Sequence, residues 1–78
     1  MSNLETYRNC FVDGLELDVE SVESASMESV ERWDSIGQMS LIALVEDAFG
    51  IELDPEEIMT FTSFAAGLEI LKCHGIDF

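Results

Sequence analysis

The chain has 78 residues, 17 of them acidic and 3 basic, for a formal net charge of −14. That length holds one domain, residues 1–78, which buries only about 60 % of the surface its unfolded chain exposes. The charge excludes a nucleic-acid binder and disfavours an anionic membrane surface, while 47 % apolar residues exclude a disordered chain. A compact acidic domain with basic protein partners is the expectation.

At the N-terminus, Ser2 and Glu5 have the spacing of a capping box, Leu4, Tyr7 and Phe11 recur at helical spacing, and Gly14 supplies a stop. A first helix over about 3–13 results. Leu15 to Glu20 alternates with period two, but a lone strand has nothing to pair with. Residues 15–34 are therefore predicted as a long loop pinned by Leu17, Val19, Val22, Met27 and Val30, with room for a short helical turn near 26–31. So long a connection suits two near-parallel helices joined across the length of a bundle. Ser35 and Gln38 form a second capping box before a helix over about 36–49 that ends at Gly50. Asp54, Pro55 and Glu57 start a short third helix, with proline at the first helical position. Thr62 and Ser63 are both able to cap a fourth, which lays Phe64, Leu68 and Leu71 on one stripe and stops at Gly75. The fold class is all-α: a small four-helix bundle of three longer helices and one short one.

Little in the sequence supports catalysis. His74, the one histidine, sits near a helix end, where a cation or a hydrogen bond to the last carbonyls is its ordinary role. Cys10 and Cys73 lack the short spacing of a zinc site and are too few to staple a secreted scaffold; Cys10 fits a core position. No EF-hand loop is present, so no metal site and no catalytic residue are expected. Nothing reads as a signal peptide, and no apolar run approaches about 18 residues. A cytoplasmic monomer with reduced thiols and no membrane span is the expectation.

Several features converge at Trp33-Asp34-Ser35-Ile36. A serine hydroxyl at a helix N-terminus lies beside free N–H groups and the positive end of the helix dipole, where a phosphate ester would be well placed. Taken alone, Ser35 is more simply a plain cap. Its context is more specific. The run from Trp33 through Gly50-Ile51 resembles the central motif of acyl carrier proteins, in which an Asp-Ser-Leu triplet opens the second helix. Leu53-Asp54-Pro55-Glu56-Glu57-Ile58 is similar to the family's short third helix, and Phe61 to Ala66 to the opening of its fourth.

The resemblance implies that Ser35 carries 4′-phosphopantetheine, attached by a phosphopantetheinyl transferase. It implies that Asp34 helps that transferase engage its metal and the serine. Ile36 stands where the family has leucine. With Met39, Glu46 and Asp47 it would recognise partner enzymes whose surfaces are basic. Ile36, Met39, Ala43 and Asp47 share an outward stripe on helical spacing; Leu41, Leu44, Val45, Ala48 and Phe49 would face the core. Phe11, Val45, Phe49, Ile58, Phe64 and Leu68 would wall a pocket for an acyl chain held as a thioester. Gly37 and Ser40 stand where carriers of fatty acid synthesis are often acidic, which points to a specialised carrier for fatty acid, polyketide or related acyl transfer. The competing reading is an unmodified acidic helical adaptor for one basic protein, with Ser35 merely a cap.

Overall fold

The computed structural model describes residues 2–78. Four α-helices form: α1 (Asn3–Leu15), α2 (Ser35–Phe49), α3 (Pro55–Thr60) and α4 (Phe64–Cys73), with a 3₁₀ segment over Val19–Ser24 in the loop before α2. Among the described residues there is no strand, only an isolated antiparallel bridge between Ser26 and Ser63. The all-α bundle expected from the sequence is the fold found.

Most helix ends follow their local signals. The Ser2 hydroxyl accepts from Glu5 N at 3.2 Å, and Ser63, rather than Thr62, caps α4 by accepting from Ala66 N at 3.0 Å. Asp54 and Glu57 complete a reciprocal capping box with Pro55 behind it. Gly50 closes α2 in the left-handed region, at φ 65°. Gly14 departs from expectation. The first helix continues through Leu15, and Glu16 takes the left-handed position at φ 54°. Gly14 instead permits close approach, since a Cβ there would stand 3.2 Å from Leu44 Cδ1 and 3.3 Å from Leu41 Cα.

The order of contacts fixes the helix directions. Leu15 meets Gly37, Gly14 meets Leu41 and Leu44, and Thr6 and Cys10 share a groove with Leu44, Asp47 and Ala48. Position rises along α2 as it falls along α1, so the two run antiparallel, not near-parallel as the loop length suggested. The loop does not cross the bundle to reach α2. It leaves Glu16, makes an excursion over the core, and returns beside its own start, where Arg32 pairs with Glu16. Midway it is tied to the start of α4: Met27 N donates to Thr62 O at 2.9 Å and Phe64 N to Ala25 O at 3.0 Å. The expected turn near 26–31 is present, with Val30 N donating to Ser26 O at 3.0 Å, and a 3₁₀ segment that the sequence did not suggest lies at Val19–Ser24, where Val22 is drawn fully into the core.

The core is aromatic at its centre. Tyr7, Phe11, Trp33, Phe61 and Phe64 are all buried; Phe11 meets Tyr7 and Trp33 edge-on at centroid distances of 5.0 and 5.4 Å, an arrangement that ring quadrupoles favour. The inner face of α2 is Gln38, Leu41, Ile42 and Val45, with Phe49 half-buried beyond. Leu44 and Ala48, expected inside, are exposed. The register expected from sequence rests on apolar residues alone, whereas the inward stripe begins with Gly37 and the polar Gln38.

Cys10 is buried and Cys73 exposed; both are free thiols. Burial and the nearby Asp13 carboxylate raise the Cys10 thiol from 9.0 to about 11. The folded state therefore favours the neutral thiol, and that stabilising contribution is complete below pH 9 and lost as pH rises towards about 11. Alkylation of native unmodified protein at pH 8 is expected to label Cys73 alone, with Cys10 reacting only after denaturation. Equal labelling of both in the native state would contradict the packing of α1.

Candidate functional site

The start of α2 is built from the core outward. Trp33 is 2 % exposed, and its indole Nε1 donates to Gln38 Oε1. Gln38 Nε2 in turn donates to Ile58 O at 2.8 Å and Phe61 O at 3.2 Å. One buried side-chain amide thus joins Trp33, two residues before the helix, to the helix itself and the end of α3. Gly37 lies against the Arg32 carbonyl so closely that a Cβ there would be 2.0 Å from the oxygen.

These contacts overturn the capping box predicted at Ser35 and Gln38. Asp34 is the N-cap, its Oδ1 accepting from Gly37 N at 2.9 Å. Gln38 is turned inward by Trp33 and cannot reach back to the helix start. Ser35 becomes the first helical residue. Its side chain is exposed, and its hydroxyl makes no hydrogen bond among the described residues. The one serine whose spacing suggested a cap at this helix has no capping duty.

A groove of about 270 Å³ is walled in part by Asp13, Glu16, Arg32, Ser40 and the two sequence neighbours of Ser35, Asp34 and Ile36, while Ser35 itself is not part of its wall. The outward stripe of α2 has the predicted members. Ile36 is 78 % and Met39 73 % exposed, and Ala43 and Asp47 are exposed as well. Met59 on α3, which the sequence did not single out, adds another exposed apolar side chain at 78 %. Glu46 is different. It is half-buried, and its Oε2 accepts from Leu53 N at 2.8 Å, fastening the turn after α2. His74 also turns from its expected role: its Nε2 lies 2.8 Å from Glu57 Oε2 and joins the end of α4 to the first turn of α3.

The predicted acyl walls divide in two. Phe11, Val45 and Phe64 are core side chains, fully or almost fully buried, and Phe11 and Phe64 are in ring contact at 5.3 Å. Phe49, Ile58 and Leu68 are half-buried at the core margin. The six therefore belong to the packed core or to its margin, with Phe11 and Phe64 among the aromatic rings between the helices.

Charge dominates the surface. Arg8, Arg32 and Lys72 meet Glu23, Glu16 and Glu69 respectively, and most other carboxylates face only one another or solvent. Melting temperature is expected to rise by several degrees between low salt and about 0.2 M, where the Debye length falls below about 10 Å. A flat titration would contradict self-repulsion of this surface. No group of three or more histidine, cysteine, aspartate or glutamate side chains suited to a metal occurs among the described residues. No helix among the described residues is long and apolar enough to cross a membrane.

The site thus combines an exposed, uncommitted serine hydroxyl at the head of a 15-residue helix, a rigid support beneath it and an apolar stripe beside it. A comparison with curated proteins finds no match. Residues 8–69 match the family described as the phosphopantetheine attachment site. The matched span holds all of α2 and α3 and most of α1 and α4, so the chain belongs to the phosphopantetheine attachment-site family, a domain to which 4′-phosphopantetheine is covalently joined.

Proposed function

We propose that Ser35 is the attachment residue and that the chain is a specialised acyl carrier, acted on by enzymes and not itself catalytic. The observation that carries this reading is the division of labour at the head of α2. Asp34 caps the helix, so the Ser35 hydroxyl is exposed and uncommitted.

The residues present fit the group. A phosphodiester on Ser35 Oγ would stand at the positive end of the α2 dipole, close to the first-turn N–H groups that Asp34 does not occupy. The exposure of Ser35 leaves its hydroxyl accessible to a transferase. In the loading reaction Ser35 Oγ would give its proton to solvent or to a base of the transferase and bond to the phosphorus of coenzyme A that bears the pantetheine. The bond from that phosphorus to the nucleotide half breaks, and the nucleotide leaves. Asp34 helps the transferase hold its metal near the serine. Once bound, the group supplies a terminal thiol that holds acyl chains as thioesters.

Recognition falls to the surface around the serine. Ile36, Met39 and Asp47 present an apolar stripe with an acidic margin to basic partner enzymes, whose association would be fast and salt-sensitive. Gly37 supports a specialised pathway over general fatty acid synthesis. An acidic residue often stands there in such carriers, and the contact with the Arg32 carbonyl leaves no room for one. The protein acts as a cytoplasmic monomer in this reading. Incubation with coenzyme A and a broad-specificity transferase tests it, by a mass gain of one phosphopantetheine group on the peptide that holds Ser35.

A further inference from the structure

Beside the outward stripe of α2 lies a second unpartnered surface. A groove of about 270 Å³ follows the seam between α1 and α2, and Cys10, Asp13, Leu44, Asp47 and Ala48 stand in its wall. Leu44 is 36 % exposed, and Ala48 is exposed as well. We propose that this seam is a docking site for a basic amphipathic helix of a partner enzyme. Lysine or arginine heads of that helix meet Asp13 and Asp47, and its apolar side chains lie on Leu44 and Ala48. The inference rests on the reading of the chain as a carrier met by basic enzymes, with Asp47 among the residues they recognise. It does not depend on attachment at Ser35.

Charge complementarity selects the occupant. Asp13 stands on the α1 wall and Asp47 on the α2 wall, with no basic side chain between them. Both are exposed, and neither forms an ion pair among the described residues. Arg8, Arg32 and Lys72 meet Glu23, Glu16 and Glu69, all of them outside the seam. An acidic partner is repelled here, and a purely apolar one would strip water from two carboxylates without replacing it. Lysine and arginine suit both halves of the surface, since their stems cover apolar atoms while their heads stay at the charged rim.

The shape of the seam suits a helix. On α1 its wall runs from Thr6 to Asp13, roughly 10 Å of helix axis or two turns, which is room for apolar side chains one turn apart on a docked helix. The Cys10 thiol beneath is neutral, because burial and the Asp13 carboxylate raise it to about 11, so it adds soft apolar surface and no charge. At the end of the seam Gly14 lies against Leu41 and Leu44, and this close contact holds the two walls together. Asp47 also ends the stripe of Ile36, Met39 and Ala43, so the seam adjoins the surface already assigned to partners.

The test titrates a synthetic amphipathic helix of leucine and lysine into the isotope-labelled full chain and follows amide NMR shifts. The expected result is saturable movement of the Thr6, Cys10, Asp13, Leu44 and Ala48 amides, and its loss with a peptide in which every lysine is replaced by glutamine. Asp13→Asn should weaken binding by about threefold, within the range of an exposed ion pair. Asp18→Asn removes the same charge from an exposed site outside the seam and should leave binding nearly unchanged. Shifts confined to Ile36, Met39 and Met59 would overturn the proposal, as would equal weakening by the two variants, equal binding of the glutamine peptide, or no saturable binding of the lysine peptide. The attachment reading is judged separately, by the mass gain at Ser35, so failure of one leaves the other standing.

Discussion

Gly37→Ala is expected to cost about 3 kcal/mol of stability, at the upper end of the usual range for an overpacked site. The added Cβ would fall 2.0 Å from the Arg32 carbonyl oxygen and 3.1 Å from both Arg32 C and Leu15 Cδ2. The first of these is a backbone atom and cannot rotate away. Either α2 lifts from the loop or the Arg32 peptide turns, and both displace the Asp34 cap. A domain of this size has a total stability of roughly 4–12 kcal/mol, so a large part of it would be lost. The urea midpoint should fall accordingly, and modification at Ser35 should slow because the serine shifts with the helix start. A midpoint within a few tenths of a molar of the parent would show that the loop yields at no cost.

Gln38→Leu is expected to cost a similar amount, about 3 kcal/mol, although leucine is an apolar residue of like volume placed in a core. The substitution leaves the Trp33 indole N–H buried without an acceptor and removes the donor shared by the Ile58 and Phe61 carbonyls. Leaving one such group unpaired costs roughly 1–3 kcal/mol. Thermal unfolding followed by tryptophan fluorescence reads both effects, since Trp33 is the only tryptophan. A neutral or stabilising outcome would show that this polar bridge is dispensable to the core.

These two residues also mark the limit of what sequence spacing reveals. Signals confined to a few neighbours are legible. Asp54-Pro55-Glu57 and Gly50 act through their own backbone, and the structure has them in the predicted roles. The roles of Gly37, Gly14 and Gln38 are set by atoms distant in sequence or by a neighbour's burial, and spacing carries no trace of them. Spacing pairs Gln38 with Ser35 because the four-residue box is a frequent pattern. The buried indole of Trp33 competes for the same amide and wins. The loop illustrates the same limit: its length suggests a crossing, while the ion pair and the bridge to α4 produce an excursion that returns to its own base.

The candidate site is a different case. Ser35 is ambiguous between cap and attachment residue on local chemistry, and the structure gives the cap to Asp34 and leaves Ser35 exposed. Helical spacing groups Ile36, Met39, Ala43 and Asp47 on one stripe, and the structure leaves that stripe exposed. The acyl walls do not follow from spacing, because aromatic residues at helical spacing look the same whether they line a cavity or fill it.

Mass spectrometry of the protein and of its Ser35→Ala variant, after incubation with coenzyme A and a broad-specificity transferase, tests the central claim most directly. The prediction is a gain of one phosphopantetheine group on the parent chain, located to the peptide holding Ser35, and no gain on a variant whose melting temperature is nearly unchanged. Since Asp34 holds the cap, removing the Ser35 hydroxyl takes nothing from the helix. A gain that survives Ser35→Ala, or no gain on the parent with several transferases, would contradict the account.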